Sequence, residues 1–414
     1  MDMRRFAQDK RTVFGLWILI AVVSALTKIG RDNNYLVFKY TFWHMVEKLP
    51  LYIPYPEQYA DLNHYCPFFG VLMAPFAIMP DALGIVCWHL FLTLLLYWAI
   101  RINRFEWRVQ LILYWFCAHE LLTALFMSQF NVAVVAFILM AYGFIQREGQ
   151  EKWSALAIAL GIFTKIYGVV ALPFILFTRH KCRFVMWLVI WSVVLFALPM
   201  LFSSPEYIIS QYQDWIANLQ AKSATNLFAS HQNISLIGMI RKIGYVCHLG
   251  QMQPYLDMFA SDRSPVEQCL WTTYSDMPII AIGTMLLIAP LLRLRQWRES
   301  EGFRRMFMGS ILMYVCLFSN GSESSTYIIA FVGVDLWYAS APWQRTKADM
   351  ALMAVVFVIS SLSVGDLCPR YIRYTYIWPF ALKALPVTIC WLVLSWELLT
   401  KDFLKERMIS ARQS

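Results

Sequence analysis

The strongest constraint on this chain is a recurrence of long, almost uncharged apolar runs. A helix needs about 20 predominantly apolar residues to cross the hydrocarbon core of a bilayer. Runs of this kind fall at roughly 12–29, 83–100, 109–127, 129–146, 184–202, 278–293, 305–318, 324–341, 349–365 and 377–396. A further run, 153–178, carries Lys165 near its middle. One continuous helix would set that lysine deep in lipid, which is expensive. Two short helices meeting near Thr164-Lys165 fit better and bring the expected count to twelve spans. Composition agrees: 59% of the 414 residues are hydrophobic and only 15% charged, against about 45–50% and about 25% in soluble domains. The expectation is an all-α polytopic membrane protein forming a single integral membrane domain, 1–414. Disorder, coiled coil and an ordinary cytosolic enzyme are excluded. The nine cysteines show no paired spacing and indicate neither a disulfide framework nor a zinc site.

The basic residues orient these spans. Lys and Arg concentrate in cytoplasmic loops. With the N-terminus (Arg4, Arg5, Lys10, Arg11) placed in the cytoplasm, most of the 35 basic residues fall on that side. They occupy the short connections 101–108, 147–152, 179–183, 293–305 and 345–347, and the C-terminal tail with Lys401, Lys405, Arg407 and Arg412. The net charge of +9 is therefore an orientation signal, not a nucleic-acid signal. The first apolar run has no small-residue cleavage site after it and reads as an anchor. The pattern holds if 67–79 lies at the interface instead of spanning. The implied location is a multi-pass protein of the cell (inner) membrane with both termini cytoplasmic.

Two segments on the far side, about 30–82 and 203–277, are too long for simple connectors, and long loops on a rigid scaffold commonly carry function. The first mixes aromatics with Asp32, Glu57, Asp61 and His64, and prolines 54, 56 and 67 break it around the acidic residues. Within it Tyr35, Phe38, Phe42, Met45 and Val46 share roughly one helical face, which suits an amphipathic helix on the membrane surface. A carboxylate here is a solvated loop residue or a base able to accept a proton from a hydroxyl attacking a sugar. Other polar features punctuate the apolar runs. SQFN at 128–131 is a helix cap or a site. Lys165 is a snorkelling anchor or a fixed charge for a phosphate. His231, Gln232, Asn233 and Ser235 precede a helix carrying Arg241; a start signal is the plain reading, and Asn233-Ile234-Ser235 also fits the glycosylation pattern. Glu323 lies in SNGSESST at 319–326, and Arg370 and Arg373 in DLCPRYIRY at 366–374. All fall on the outer face in this topology. No HExxH, P-loop or Rossmann glycine pattern accompanies them.

Together these residues resemble glycosyltransferase family 87, the bacterial polyprenol-phosphate-mannose-dependent mannosyltransferases. YCPFFGVLMAPFAIMP at 65–80 resembles the family's Y-P-P-x element and the apolar stretch that follows it. SQFN resembles G-Q-x-N, with Gln129 and Asn131 kept. TKIYGVVALPF resembles K-x-x-P-x-x-x-L-P-F, with Lys165 kept. HQNISLIG resembles N-Q-S-L-x-G, with Asn233, Ser235 and Gly238. One departure stands out: the first-loop aspartate of the D-x-x-V-Y pattern aligns with Asn34, and an amide cannot act as a base.

The resemblance implies a GT-C-like bundle of about twelve transmembrane helices with interfacial helices in the first outer loop. It implies transfer of a hexose, mannose in the family, from a polyprenyl-phosphate carrier to a glycolipid or lipid-linked glycan on the non-cytoplasmic face. Asp61 would be the base, with Glu57 and Asp32 as alternatives. Lys165, Arg241, Arg370 and Arg373 would stabilise the phosphate. Gln129, Asn131, Gln232, Asn233 and Glu323 would orient sugar hydroxyls, with Asn34, His64 and Ser235 also in the binding region. No cofactor is required, and a divalent ion held by Asp61 and Glu57 stays open. Membrane lipids are expected partners; nucleic acid is not. A transporter or flippase of a lipid-linked sugar is the alternative reading, and an accessory membrane subunit a third.

Overall fold

A computed structural model describes residues 3–365 and 367–404. Asp366, Lys405, Arg407 and Arg412, used above, lie outside the described residues. The described residues are helical, with no strand among them, as expected where backbone groups in lipid must be satisfied within the segment. The chain gathers into two compact units, Met1–Ala221 and Lys222–Ser414.

Among the described residues, four helices are long and apolar enough to cross a membrane: Lys10–Lys28, Asp81–Ile102, Lys181–Leu201 and Lys347–Val364. A fifth crossing is made if the pair Trp107–Phe116 and Ala118–Phe126, bent by 44° at its break, counts as one span. Shorter apolar helices include Asn131–Ile145, Met277–Leu292 and Ala384–Thr400. The protein is thus an all-helical membrane protein. Each apolar run in the sequence contains helix, although several of these helices are shorter than a bilayer requires, and the run 377–396 is α-helical only from Ala384. The Lys347–Val364 element changes from α to π geometry at Val356–Ser361 and ends in a 3-10 turn.

In the first unit, the long run around Lys165 breaks as expected. The helix Glu151–Lys165 ends at Ile166, which is left-handed (φ 49°). A 3-10 helix, Tyr167–Phe177, then continues the chain. Glycines permit the fold-back: a Cβ on Gly161 would stand 2.8 Å from the Gly168 Cα, and one on Gly168 2.6 Å from the Gly161 carbonyl carbon.

The first-loop segment 33–47 is a helix, Asn33–Glu47, and its apolar face is covered by protein. Phe42 and Met45 join Phe68 and Ala77 in one core cluster, and Phe38 sets its ring edge-on against Tyr65 and Phe69. Thr41 O would lie 3.1 Å from a Cβ at Gly70, so the Pro67–Ala77 helix approaches to backbone distance. Val46 remains exposed. Full burial of each such side chain contributes about 1.5–3 kcal/mol, which fixes the loop as a packed layer.

Sequence patterning missed one element of this layer. Pro205–Thr225 is a 21-residue helix inside what reads as a long loop. Ile208, Gln211, Tyr212 and Trp215 recur at helical spacing and pack onto the first loop. Tyr207 donates to Leu49 O at 2.5 Å, and Trp215 Nε1 to His64 O at 3.0 Å.

Candidate active site

The first unit assembles a polar cluster at the N-terminus of the Asn33–Glu47 helix. Asp32 caps that helix, its Oδ1 accepting from Tyr35 N at 3.0 Å, the usual task of an aspartate there. Its other oxygen accepts from the Ser128 hydroxyl. A carboxylate of the first loop and the SQFN segment are therefore in direct contact, although far apart in sequence. Asp32 is 5% exposed. Burial raises its carboxyl above the usual carboxylate range, opposed by the Ser128 hydroxyl, the Tyr35 amide and the charge of Lys28.

Ser128 sits where the Ala118–Phe126 helix ends. It takes a left-handed conformation, φ 47°, costly for a residue with a Cβ and kept only where the surrounding structure over-determines the backbone. The surroundings do so here. Its N–H donates to Leu125 O at 2.8 Å and its carbonyl accepts from Trp88 Nε1 at 3.2 Å. Asn34 Nδ2 donates to the neighbouring Met127 O at 2.7 Å. Asn34 thus binds the same segment as Asp32, through its backbone.

Gln129, Asn131 and Lys165 belong to the same cluster. Tyr65 OH lies 3.3 Å from Gln129 Oε1, and Tyr65 stacks on Phe69. Lys165 Nζ donates to Asn131 Oδ1 at 2.9 Å. It lies over the rings of Tyr65 (5.6 Å) and Tyr167 (5.7 Å). Such placement stabilises an ammonium by roughly 0.5–1 kcal/mol at exposed sites and more when desolvated. Its position follows from the break at Ile166, which brings the end of the Glu151–Lys165 helix to the start of Asn131–Ile145.

The remaining first-loop residues are placed differently. Asp61 is exposed and accepts from Asn33 Nδ2 at 2.9 Å, while Asn33 Oδ1 accepts from Ala60 N at 2.7 Å. Asp61 and Asn33 thereby tie the 58–61 turn to the start of the helix. Glu57 is exposed on the preceding turn. His64 Nδ1 is 2.9 Å from Asn218 Nδ2, on the Pro205–Thr225 helix. Among the described residues no group of three or more His, Cys, Asp or Glu could hold a metal ion.

The second unit joins two of the other motifs. Gln232 Nε2 donates to Glu323 Oε1 at 2.7 Å. Ile234 N donates to Ser322 O at 2.8 Å and Tyr327 OH to Ile234 O at 3.0 Å, stitching the 229–235 and 319–327 loops. Ser235 caps the Leu236–Leu249 helix, accepting from Gly238 N at 3.0 Å and donating to Asn233 Oδ1 at 2.7 Å. Asn233 is fully buried with φ 53°, its amide donating to Leu227 O at 3.1 Å. That burial is incompatible with its being a glycosylation acceptor. Arg241 is 1% exposed and pairs with Asp276 at 2.7 Å. It also donates to Trp271 O and Tyr274 O, so its charge serves the packing of this unit. Arg370 is exposed and lies over the Tyr374 ring, and Arg373 over Tyr374 and Trp378. Trp378 in turn packs edge-on against His231.

Sequence reasoning passed over His89, Lys242 and Lys383, all fully or almost fully buried. An ionisable residue inside an apolar run is a functional signal in its own right, and His89 within 83–100 carried it.

Residues 63–320, more than half of the chain, match the family model described as glycosyltransferase family 87. No curated protein matches the chain. The matched span holds Gln129, Asn131, Lys165, Gln232 and Asn233; Asp32, Glu57 and Asp61 precede it and Glu323 follows it.

Proposed function

The chain belongs to glycosyltransferase family 87 and is a membrane glycosyltransferase; from that premise we propose that it transfers a hexose, mannose in the first instance, from a polyprenyl-phosphate carrier to a glycolipid or lipid-linked glycan. The fold in this reading is GT-C-like with about twelve crossings, and the reaction takes place on the non-cytoplasmic face.

The chemistry assigned is a single inverting displacement. A carboxylate takes the acceptor hydroxyl proton as its oxygen attacks the anomeric carbon. The bond from that carbon to the phosphate oxygen breaks, and the lipid phosphate leaves with the negative charge. A base contributes about 10²–10⁴-fold to such a step. A positioned cation beside the developing phosphate charge is worth roughly 3–4 kcal/mol.

The observation that carries this reading is the contact between Asp32 and Ser128 in the same cluster as Gln129, Asn131 and Lys165. It favours Asp32 as base over Asp61, whose bond to Asn33 gives it a task in holding the turn. A carboxyl whose pKa burial has raised is also a better match to a base working near neutral pH. Lys165 is the phosphate-side cation, and Gln129 with Asn131 orients hydroxyls.

The test is product formation by the purified full-length protein from polyprenyl-phosphate-mannose and a panel of membrane glycolipids. Asp32→Asn lowers the rate by about 10²–10⁴-fold, while Asp61→Asn keeps most of it. Full activity in Asp32→Asn overturns the assignment of the base. Failure of wild type to release lipid phosphate from this donor with every acceptor overturns the donor.

A further inference from the structure

His89 lies fully buried in the Asp81–Ile102 helix, and the reaction as written gives it no task. Both its ring nitrogens are nevertheless engaged. Nε2 is 2.7 Å from Ser128 Oγ and Nδ1 is 2.9 Å from Ser24 Oγ. Ser128 in turn bonds Asp32. Four groups from separate segments, Ser24, His89, Ser128 and Asp32, thus form one continuous chain, of which only Asp32 has any exposure.

Proton counting restricts this chain. Each hydroxyl has one proton to give, and so has a neutral imidazole. With Asp32 ionised, every contact is satisfied only when all donors point the same way. Ser24 donates to Nδ1, Nε2–H donates to the Ser128 oxygen, and the Ser128 hydroxyl donates to the carboxylate. Ala21 O, 2.9 Å from Ser24 Oγ, takes the Ser24 proton when the order reverses.

The geometry points to His89 as a positioning residue for the base: acting through Ser128, it keeps a hydrogen-bond donor aimed at Asp32 and so keeps that carboxyl ionised. This rests on the reading of Asp32 as base. Burial penalises the charged form, and a donor to the carboxylate opposes that penalty. Ser128 alone secures little, because its hydroxyl can turn. With Nε2–H on the Ser128 oxygen, the serine proton is directed to Asp32. The other ionisable groups around this chain are Lys28, whose charge favours the ionised carboxylate, and Tyr35, Asp81 and Cys87. Asp61 is reached only through Asn33. In turnover the acceptor proton ends on Asp32 and the departing lipid phosphate carries the negative charge, so His89 gains and loses no proton.

The experiment follows kcat and KM against pH for the full-length protein, with polyprenyl-phosphate-mannose as donor and the glycolipid panel as acceptors. The variants are His89→Phe, His89→Gln and Ser128→Ala, each checked for monodispersity in detergent. Phe keeps the ring's bulk and removes the donor; Gln restores an N–H near Nε2. In His89→Phe and Ser128→Ala the acidic limb of kcat/KM moves to higher pH by roughly one unit. Their kcat falls by about 10–100-fold, the scale on which outer hydrogen-bond partners act elsewhere, while KM changes little. His89→Gln stays near wild type. Equal losses in Phe and Gln with the limb in place overturn the inference. So does an unmoved limb in Ser128→Ala, which breaks the same link at its other end. Full activity in Asp32→Asn marks instead a failure of the base assignment itself.

Discussion

Lys242 shows how a single residue sets conditions for a whole loop. It is fully buried in the Leu236–Leu249 helix. Its ammonium meets Ala229 O at 3.2 Å and Gln232 O at 3.1 Å, both in the loop that presents Gln232 to Glu323. Burial pushes its pKa down from 10.5 to about 7, with Asp262 opposing. The sign is fixed by proton counts. Between pH 7 and 10.5 the unfolded chain holds a proton at this lysine that the folded chain has released. Stability therefore rises with pH through that window, and the cost of the buried charge is fully present below it. Wild type should gain in thermal midpoint relative to Lys242→Met as pH is raised from 7 to 10, with the difference flat below 7. A difference that ignores pH across this range means that the lysine keeps its proton in the folded chain as it does in the unfolded one.

At the scale of elements, the break after Lys165 is the feature on which the first unit's cluster depends. Gly161 and Gly168 meet at backbone distance, so an added methyl has nowhere to go. Gly161→Ala or Gly168→Ala should cost about 1–3 kcal/mol by overpacking and should lower transfer by displacing Lys165 from Asn131. Gly15→Ala is the control, since nothing lies within 4 Å of its added Cβ and helix propensity favours alanine by up to about 1 kcal/mol. Equal behaviour of all three variants in thermal unfolding and transfer assays removes the special role of the glycine contact. This break was legible in the sequence because a lysine near the middle of a long apolar run, 153–178, contradicts a single span. The apolar helices were legible for the same reason: periodicity and length report on lipid directly. The polar groups were not, because local sequence does not say which partner a side chain meets. Arg241 read as a phosphate ligand, yet Asp276 takes up its charge. Asp32 read only as an alternative to Asp61, yet Ser128, 96 positions away, distinguishes it. The Pro205–Thr225 helix was hidden because its apolar stripe is narrow and interrupted by Gln211 and Asp214.

At the scale of the whole molecule, orientation joins the chemistry to its compartment. A polyprenyl-phosphate donor and a glycolipid acceptor must meet the enzyme on one leaflet, so the proposed reaction requires the first loop and the 203–277 segment to face the same side. The basic connections supply the argument, since Lys and Arg within about 15–20 residues of span ends bias those ends toward the cytoplasm. Two native cysteines make the requirement measurable. Cys182 and Cys247 are both exposed and unpaired. The first stands between Lys181 and Arg183 in a connection assigned to the cytoplasm, the second in the segment assigned to the opposite side. A membrane-impermeant maleimide applied to sealed right-side-out vesicles, followed by peptide mass mapping, should modify Cys247 and leave Cys182 untouched until detergent is added. Labelling of Cys182 first would invert the orientation. Labelling of both before detergent would change the parity of crossings between them, and the outer-face reaction would have to be abandoned with either result.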